Sequence, residues 1–231
     1  MDYIIPYRPS TKDRENGLRY LLDYLKDKPV NPVVIEDDGV GLFNRSKLLN
    51  RGISESDADI VWLADSDILI DKLAFERAGD LVLKHNIYKP FRRRIYDVPL
   101  ETYREISQGG RAMTEESSLR IGLGVFSGVI AAKRSVMFQI GGFDEAFCGW
   151  GGEDYAIARL AYVLGFSWYV DDLPAYHFAH ERLPVDTPEH EHFRTNRELW
   201  LWYDNASKQQ LRLRAKENLK KSCLSQRLKK I

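Results

Sequence analysis

Cysteine is scarce in this chain, with only Cys148 and Cys223 among 231 residues. They lie far apart and lack C-x-x-C spacing. One disulfide between them is allowed, but a reduced, cytoplasmic chain is the simpler expectation. Long apolar runs are missing too: none approaches the ~18 residues that a membrane-crossing helix needs. The opening Met1-Asp2-Tyr3-Ile4-Ile5-Pro6 has no basic region followed by an apolar stretch, so no signal peptide is expected. Net charge is absent, with 34 Lys or Arg against 34 Asp or Glu. That balance argues against a whole-surface preference for nucleic acid or an anionic membrane, and leaves a local basic patch open. There is no internal repeat and no low-complexity linker.

A hydrophobic content of 44% and a charged content of 29% suit an ordinary globular core. The length fits one domain, or at most two small ones. Tyr3 to Pro6 reads as a first strand. Residues 13–27 carry Leu18, Leu21, Leu22 and Leu25 at helical spacing. Pro32 to Ile35 is a second strand, 44–53 a short helix, and Ile60-Val61-Trp62-Leu63-Ala64 a third strand, apolar throughout because both of its faces are covered. This order predicts an α/β fold with a parallel sheet and ligand chemistry at the carboxyl ends of its strands. Residues 89–120 are polar and carry no clear pattern. Phe126 to Ala132 returns to strand character, Asp154 to Leu164 reads as a helix stopped by Gly165, and Trp168 to Val170 is a late strand. Residues 181–197, polar and with two prolines, predict a mobile loop. The chain divides as a 1–205 domain and a basic, helix-prone 206–231 tail with apolar Leu211, Leu213 and Leu219, which allows peripheral membrane contact.

Asp65-Ser66-Asp67 directly follows the third strand. Alternate residues at a strand end can turn two carboxylates toward one crevice, and such oxygens suit Mg²⁺ or Mn²⁺ bridging a diphosphate. Short D-x-D strings are more often turns. They also occur as the nucleophile pair of haloacid-dehalogenase-type phosphatases, whose later acidic pair Asp171-Asp172 could mimic. Gly141-Gly142-Phe143-Asp144 and then Phe147-Cys148-Gly149-Trp150-Gly151-Gly152-Glu153-Asp154 form the most unusual stretch. Glycines let a ligand approach closely, and Trp150 offers a flat face for a sugar ring. Glu153 and Asp154 stand at a helix start, whose dipole favours their ionised form and so a general base. The plainer alternative is an acidic cap after a glycine turn. His177 and His180, three apart, could share a metal or be structural. His85, His190 and His192 suggest no role.

Taken together, these segments resemble the beta-1,4-galactosyltransferase family, which has the GT-A fold: a mixed central sheet flanked by helices. Ile4-Ile5-Pro6-Tyr7-Arg8 is similar to its first strand and nucleotide-binding turn. Phe43-Asn44-Arg45-Ser46-Lys47-Leu48-Leu49-Asn50 resembles its F-N-R-A-K-L-L-N. Asp65-Ser66-Asp67 falls at its D-V-D, and Gly142 to Asp154 at its N-G-F…W-G-W-G-G-E-D. The blocks span residues 4–180, roughly three quarters of the chain. The resemblance implies a metal-dependent, inverting transferase that moves a hexose or N-acetylhexosamine, of UDP-galactose or UDP-N-acetylgalactosamine type, to an acceptor hydroxyl. It implies that Asp67 and His180 bind Mn²⁺ (or Mg²⁺), with His177 in the place of a methionine ligand. Pro6, Tyr7, Arg8, Glu36, Asp37, Phe43, Arg45, Lys47 and Asp65 would hold the donor. Trp150, Gly151 and Gly152 would meet the sugars, and Asp154 would be the base, with Glu153 as its competitor. Residues 181–197 would then close as a lid over the donor.

Cys148 stands where the family has tryptophan and Tyr155 where it has aspartate, so galactose does not follow automatically. G-W-G-G-E-D is also similar to polypeptide N-acetylgalactosaminyltransferases and chondroitin-type polymerases. The acceptor stays open between glycan, lipid-linked sugar, protein and modified nucleic acid. Besides the transferase, a phosphatase using Asp65 and Asp67 and a non-catalytic nucleotide-sugar-binding module remain as alternatives.

Overall fold

The computed structural model describes residues 1–110, 119–120, 128–180 and 190–228. In chain order the elements are β1 (Asp2–Tyr7), α1 (Lys12–Leu25), β2 (Asn31–Glu36), α2 (Arg45–Glu55), β3 (Ile60–Ala64), β4 (Ile68–Ile70) and α3 (Lys72–His85). Then come β5 (Ile87–Lys89), β6 (Ile95–Val98), α4 (Leu100–Ser107), β7 (Leu119–Arg120), β8 (Val129–Lys133) and α5 (Arg134–Ile140). The chain continues with α6 (Glu153–Leu164), β9 (Trp168–Val170), β10 (Ala175–Phe178), α7 (Glu191–Asn205), α8 (Lys208–Lys221) and α9 (Leu224–Leu228).

Six strands form one sheet in the order β2-β1-β3-β8-β5-β9, and four form a smaller one, β4-β10-β6-β7. The large sheet is parallel across β2-β1-β3, but β8 runs antiparallel to both β3 and β5. The parallel sheet suggested by strand–helix order is therefore a mixed one, as the GT-A resemblance implied, because β8 enters between β3 and β5 from the opposite direction. Successive strand residues alternate between two cores. Tyr3, Ile5, Trp62, Ala64 and Tyr88 face a layer that includes Leu21, Phe75 and Tyr103 from α1, α3 and α4. Ile4, Val61, Leu63 and Ile130 face Leu49, Met137, Leu160 and Leu211 from α2, α5, α6 and α8. Burial on both faces is why β1 and β3 read as continuous apolar runs.

Three expectations need correction or completion. Residues 89–120 contain β6 and α4, which the sequence pattern did not reveal. His177 lies within β10 rather than after the last strand, paired with Ile68 of β4 and Asp97 of β6. Residues 191–197 form the first turns of α7, not a loop. Asn196 and Tyr203, a heptad apart, are buried on its inner side, and its first turns are otherwise mostly polar. The rest of that segment, 181–189, lies outside the described residues, as does most of the Phe126–Ala132 strand's leading end. The basic segment beyond 206 is helical, and α8 packs on α5 and α6 through Leu211 and Ala215. Among the described residues no helix is long and apolar enough to cross a membrane.

Candidate active site

β1 and β3 run side by side and parallel, so their carboxyl ends open on the same edge, where the chain on β1's other side turns to β2. Crevices at such points are the usual ligand sites of α/β sheets. Here a cavity of about 880 Å³ opens among the described residues. From the β1 turn it receives Pro6, Arg8 and Ser10, and from α1 Arg14. The β3 end supplies Asp65, Ser66 and Asp67, the glycine segment supplies Gly149 to Tyr155, β10 supplies His177, and the residues just after it supply His180.

The F-N-R-S-K-L-L-N block explains itself residue by residue. Asn44 caps α2, its Oδ1 accepting from Lys47 N at 2.8 Å. Leu48 and Leu49 are core. Asn50 is fully buried; its Nδ2 donates to Phe143 O and Glu145 Oε1, and its Oδ1 accepts from Phe143 N, each at 2.9 Å. The block is thereby clamped to the glycine segment, and Gly149 N donates to Phe43 O at 2.8 Å to close the seam. Phe43 and Arg45 are left facing the cavity.

Arg45 gathers the acidic groups. Its Nε donates to Asp65 Oδ1 at 2.6 Å and its Nη1 to Asp154 Oδ1 at 2.9 Å, with Glu153 Oε1 at 3.5 Å. Burial works against its charge, but the fields of Asp154, Asp65 and Glu153 outweigh that and raise its pKa further. Burial, joined by Asp67 and Asp154, raises Asp65 to about 6 despite Arg45. Burial also raises Glu153 to about 7, with repulsion from Asp154 adding to it. The helix start does not keep Glu153 strongly acidic as expected, because desolvation exceeds the dipole's effect. Its Oε2 has no hydrogen-bond partner. Gly152, just before α6, adopts φ 104°, and a Cβ there would meet the Phe147 ring at 2.5 Å, so this turn requires glycine.

The second cluster is Asp67, His177 and His180, whose ligand atoms all lie within 4.8 Å of one another. His177 Nδ1 donates to Asp97 Oδ1 at 2.5 Å, which leaves Nε2 facing Asp67 Oδ2 at 3.8 Å. This carboxylate–histidine pairing is how a protein orients a metal-binding imidazole. His180 Nε2 lies 2.9 Å from Asp67 Oδ2, and its Nδ1 lies 3.1 Å from Arg14 Nη2. A guanidinium has only donors, so His180 Nδ1 accepts and the proton sits on Nε2, from which a cation bound there would displace it. Burial opposes the charge on Asp67, yet the hydrogen bond from His180 and the electrostatic influence of the two imidazoles and Arg14 hold its carboxyl down at about 2. One carboxylate and two imidazoles fit a divalent transition cation such as Mn²⁺ better than Mg²⁺.

Not every residue expected at the site lines the cavity. Tyr7 is buried in the core, and Glu36 and Lys47 are exposed elsewhere. Asp37 acts through Arg8, whose guanidinium it pairs with while Arg8 Nη1 donates to Gly41 O at 2.8 Å. Trp150 is at the cavity, but Phe193 of α7 stacks on it at 5.2 Å between centroids. Asn196 Nδ2 holds the same loop by donating to the carbonyls of Cys148 and Trp150. Phe193, Asn196, Arg197 and Trp200 all line the cavity; the first three sit in a polar stretch that carries no sequence signal, and Trp200 follows just beyond it. Asp97, Arg14 and the fully buried Lys89 were missed as well. Burial pushes Lys89 down to about 7, against the pull of Asp154 and Asp65. Asp171 and Asp172 do not line the cavity; Asp171 accepts from Arg77 at 2.8 Å. A phosphatase's second acidic pair is thus not brought to the D-x-D. Both cysteines are free thiols.

A family profile described as the N-terminal domain of galactosyltransferase matches residues 119–195. The chain is 32% identical over 170 residues to beta-1,4-galactosyltransferase 1 of Bos taurus, a match covering 69% of this chain and 36% of that protein. It spans little more than a third of the length of the curated relatives it matches. Among solved structures, a Drosophila beta-1,4-galactosyltransferase 7 mutant in complex with manganese, UDP-Gal and xylobiose superposes with a TM-score of 0.54. Identity is 16%, and 85% of this chain and 80% of that one are covered. GalNAc-T7 with UDP, GalNAc and Mn²⁺ gives a TM-score of 0.59 at 11% identity, over 94% of this chain and 54% of that one. The resemblance carried by the F-N-R and G-W-G-G-E-D blocks is borne out: by fold the chain is a GT-A glycosyltransferase type, and in sequence it is similar to the beta-1,4-galactosyltransferases.

Proposed function

We propose that this chain transfers a hexose or N-acetylhexosamine from a UDP-sugar to an acceptor hydroxyl with inversion, using a divalent cation. The observation that carries the reading is that one cavity joins the Asp67–His177–His180 cluster to the Trp150–Glu153–Asp154 segment. Relatives in sequence are galactosyltransferases, and neighbours in fold were solved with UDP-Gal or UDP and with manganese.

Asp67, His177 and His180 would hold the cation, which when bound supplies charge neutralisation for a departing diphosphate. The protein's own groups do the rest. Arg8 and Phe43, in contact at 5.6 Å, form a cationic and aromatic wall for the nucleotide. Arg14 adds a positive charge beside the histidines. Asp154, oriented by Arg45, would take the proton of the acceptor hydroxyl as that oxygen attacks the anomeric carbon. Glu153 is the competing base, and its value near 7 would suit it to proton transfer at neutral pH. Trp150 and Phe193 would exclude water from the sugars.

A donor screen tests this: UDP-, GDP- and dTDP-sugars with Mn²⁺, reading nucleoside diphosphate release and, by proton NMR, the anomeric configuration of the product. Turnover confined to UDP-sugars with inversion is expected. UDP binding without turnover of any donor would reduce the chain to a binding module. Phosphate release from a generic ester, with no UDP binding, would restore the phosphatase reading.

A further inference from the structure

Charge is distributed very unevenly along this neutral chain. Residues 206–231 carry nine Lys or Arg and a single Glu, so the preceding residues carry a net charge of −8. Part of the excess is internal: Arg214 pairs with Asp144 at 2.7 Å, and Arg227 pairs with Asp57. Arg212, Lys216 and Lys220 instead lie on the exposed side of α8, opposite buried Leu211 and Ala215. Leu213 stands among them at 53% exposed. Charge alone would fit any polyanion.

The neighbouring helix adds apolar surface. Trp200, Leu201 and Trp202 are consecutive on α7 and remain 39%, 44% and 37% exposed. Three large apolar side chains in a row on a solvent-facing helix are unusual in a soluble surface. α7 and α8 are joined by only Ala206 and Ser207, and Trp202 lies under Arg214 at 5.8 Å, so the two exposed faces adjoin. Trp200 also lines the active-site cavity, so this surface begins at the cavity mouth.

We propose that the adjoining exposed faces of α7 and α8 dock on an anionic lipid bilayer, with Leu201, Trp202 and Leu213 entering the interface and Arg212, Lys216 and Lys220 meeting the headgroups. Tryptophan and leucine beside lysine and arginine are the pairing that interfacial helices use, one part apolar and the other cationic. A nucleic acid would use the charges but leave Leu201 and Leu213 without a partner.

The test is sedimentation of the full chain with vesicles of phosphatidylglycerol and phosphatidylcholine, compared with pure phosphatidylcholine. Binding to the anionic vesicles alone, weakening as salt rises, is expected. Leu201→Glu with Leu213→Glu, and separately Lys216→Glu with Lys220→Glu, should each weaken binding by about tenfold or more, at about fivefold per charge. These positions are exposed, and unchanged melting temperatures would confirm that the variants fold. Wild-type protein that stays in the supernatant, or binds both vesicle types equally, overturns the proposal. So does binding to an oligonucleotide duplex that exceeds vesicle binding and is indifferent to the leucine changes.

Discussion

Arg45 is the residue on which the acidic half of the site depends. It lies within reach of three carboxylates, Asp65, Glu153 and Asp154, and all four groups are largely withdrawn from water. Desolvation leads the rise of Glu153 to about 7. The folded protein therefore holds a proton that the unfolded chain releases near 4.5, and the destabilisation is absent below about 4.5 and complete above about 7. Glu153→Gln removes it. Its melting temperature should exceed that of the wild type at pH 8 and converge with it at pH 4.5, as scanning fluorimetry can show. A gap independent of pH would falsify this assignment. Asp154→Asn makes the catalytic case: sugar transfer should fall by about 10²–10⁴ while UDP binding, measured calorimetrically, stays near wild type. Near-native transfer by this variant, with Glu153→Gln inactive, would reassign the base to Glu153.

At the scale of elements, the seam between α2 and the glycine segment positions both Arg45 and Trp150. Asn50 supplies three hydrogen bonds across it from a fully buried site. Asn50→Leu leaves the backbone N–H and C=O of Phe143 unpaired, at about 1–3 kcal/mol for each such group. A urea melt should show a loss of about 3 kcal/mol, and a loss below about 1 kcal/mol would mean the seam is held by packing alone. Gly152→Ala should also destabilise, because its φ of 104° and the Phe147 ring at 2.5 Å both oppose a Cβ. Helix α7 shows where element-level reading stopped. Its inner contacts, Asn196 and Tyr203, are too few and too polar to display a hydrophobic period, so residues 191–197 read as loop.

Across the whole molecule, the Asp67–His177–His180 cluster is assembled from three places in the chain: the turn after β3, strand β10 and the residue two beyond it. A ligand that binds only this assembled state stabilises it, by about 2.7 kcal/mol at a hundredfold excess over Kd. Mn²⁺ with UDP should therefore raise the melting temperature by several degrees, and chelator should reverse the rise. Asp67→Ala should abolish the shift. An unchanged melting temperature in Mn²⁺ and UDP would remove the metal assignment.

The sequence by itself determined the elements whose signals are local. The apolar runs of β1 and β3 reflect burial on both sheet faces, and the glycine turn before α6 reflects a backbone conformation that glycine adopts freely. The short helix over 44–53 is legible in the sequence, and the spacing of Asp65 and Asp67 at a strand end already turns both toward one crevice. The tertiary structure alone decided which partners meet. Asp97 orients His177 from 80 residues away, Arg14 reaches His180 across 166, and Arg45 bridges 109 residues to Asp154. Such pairings depend on strand order and on antiparallel β8. They leave no periodicity in the chain, because what sets them is distance in space after the sheet has formed.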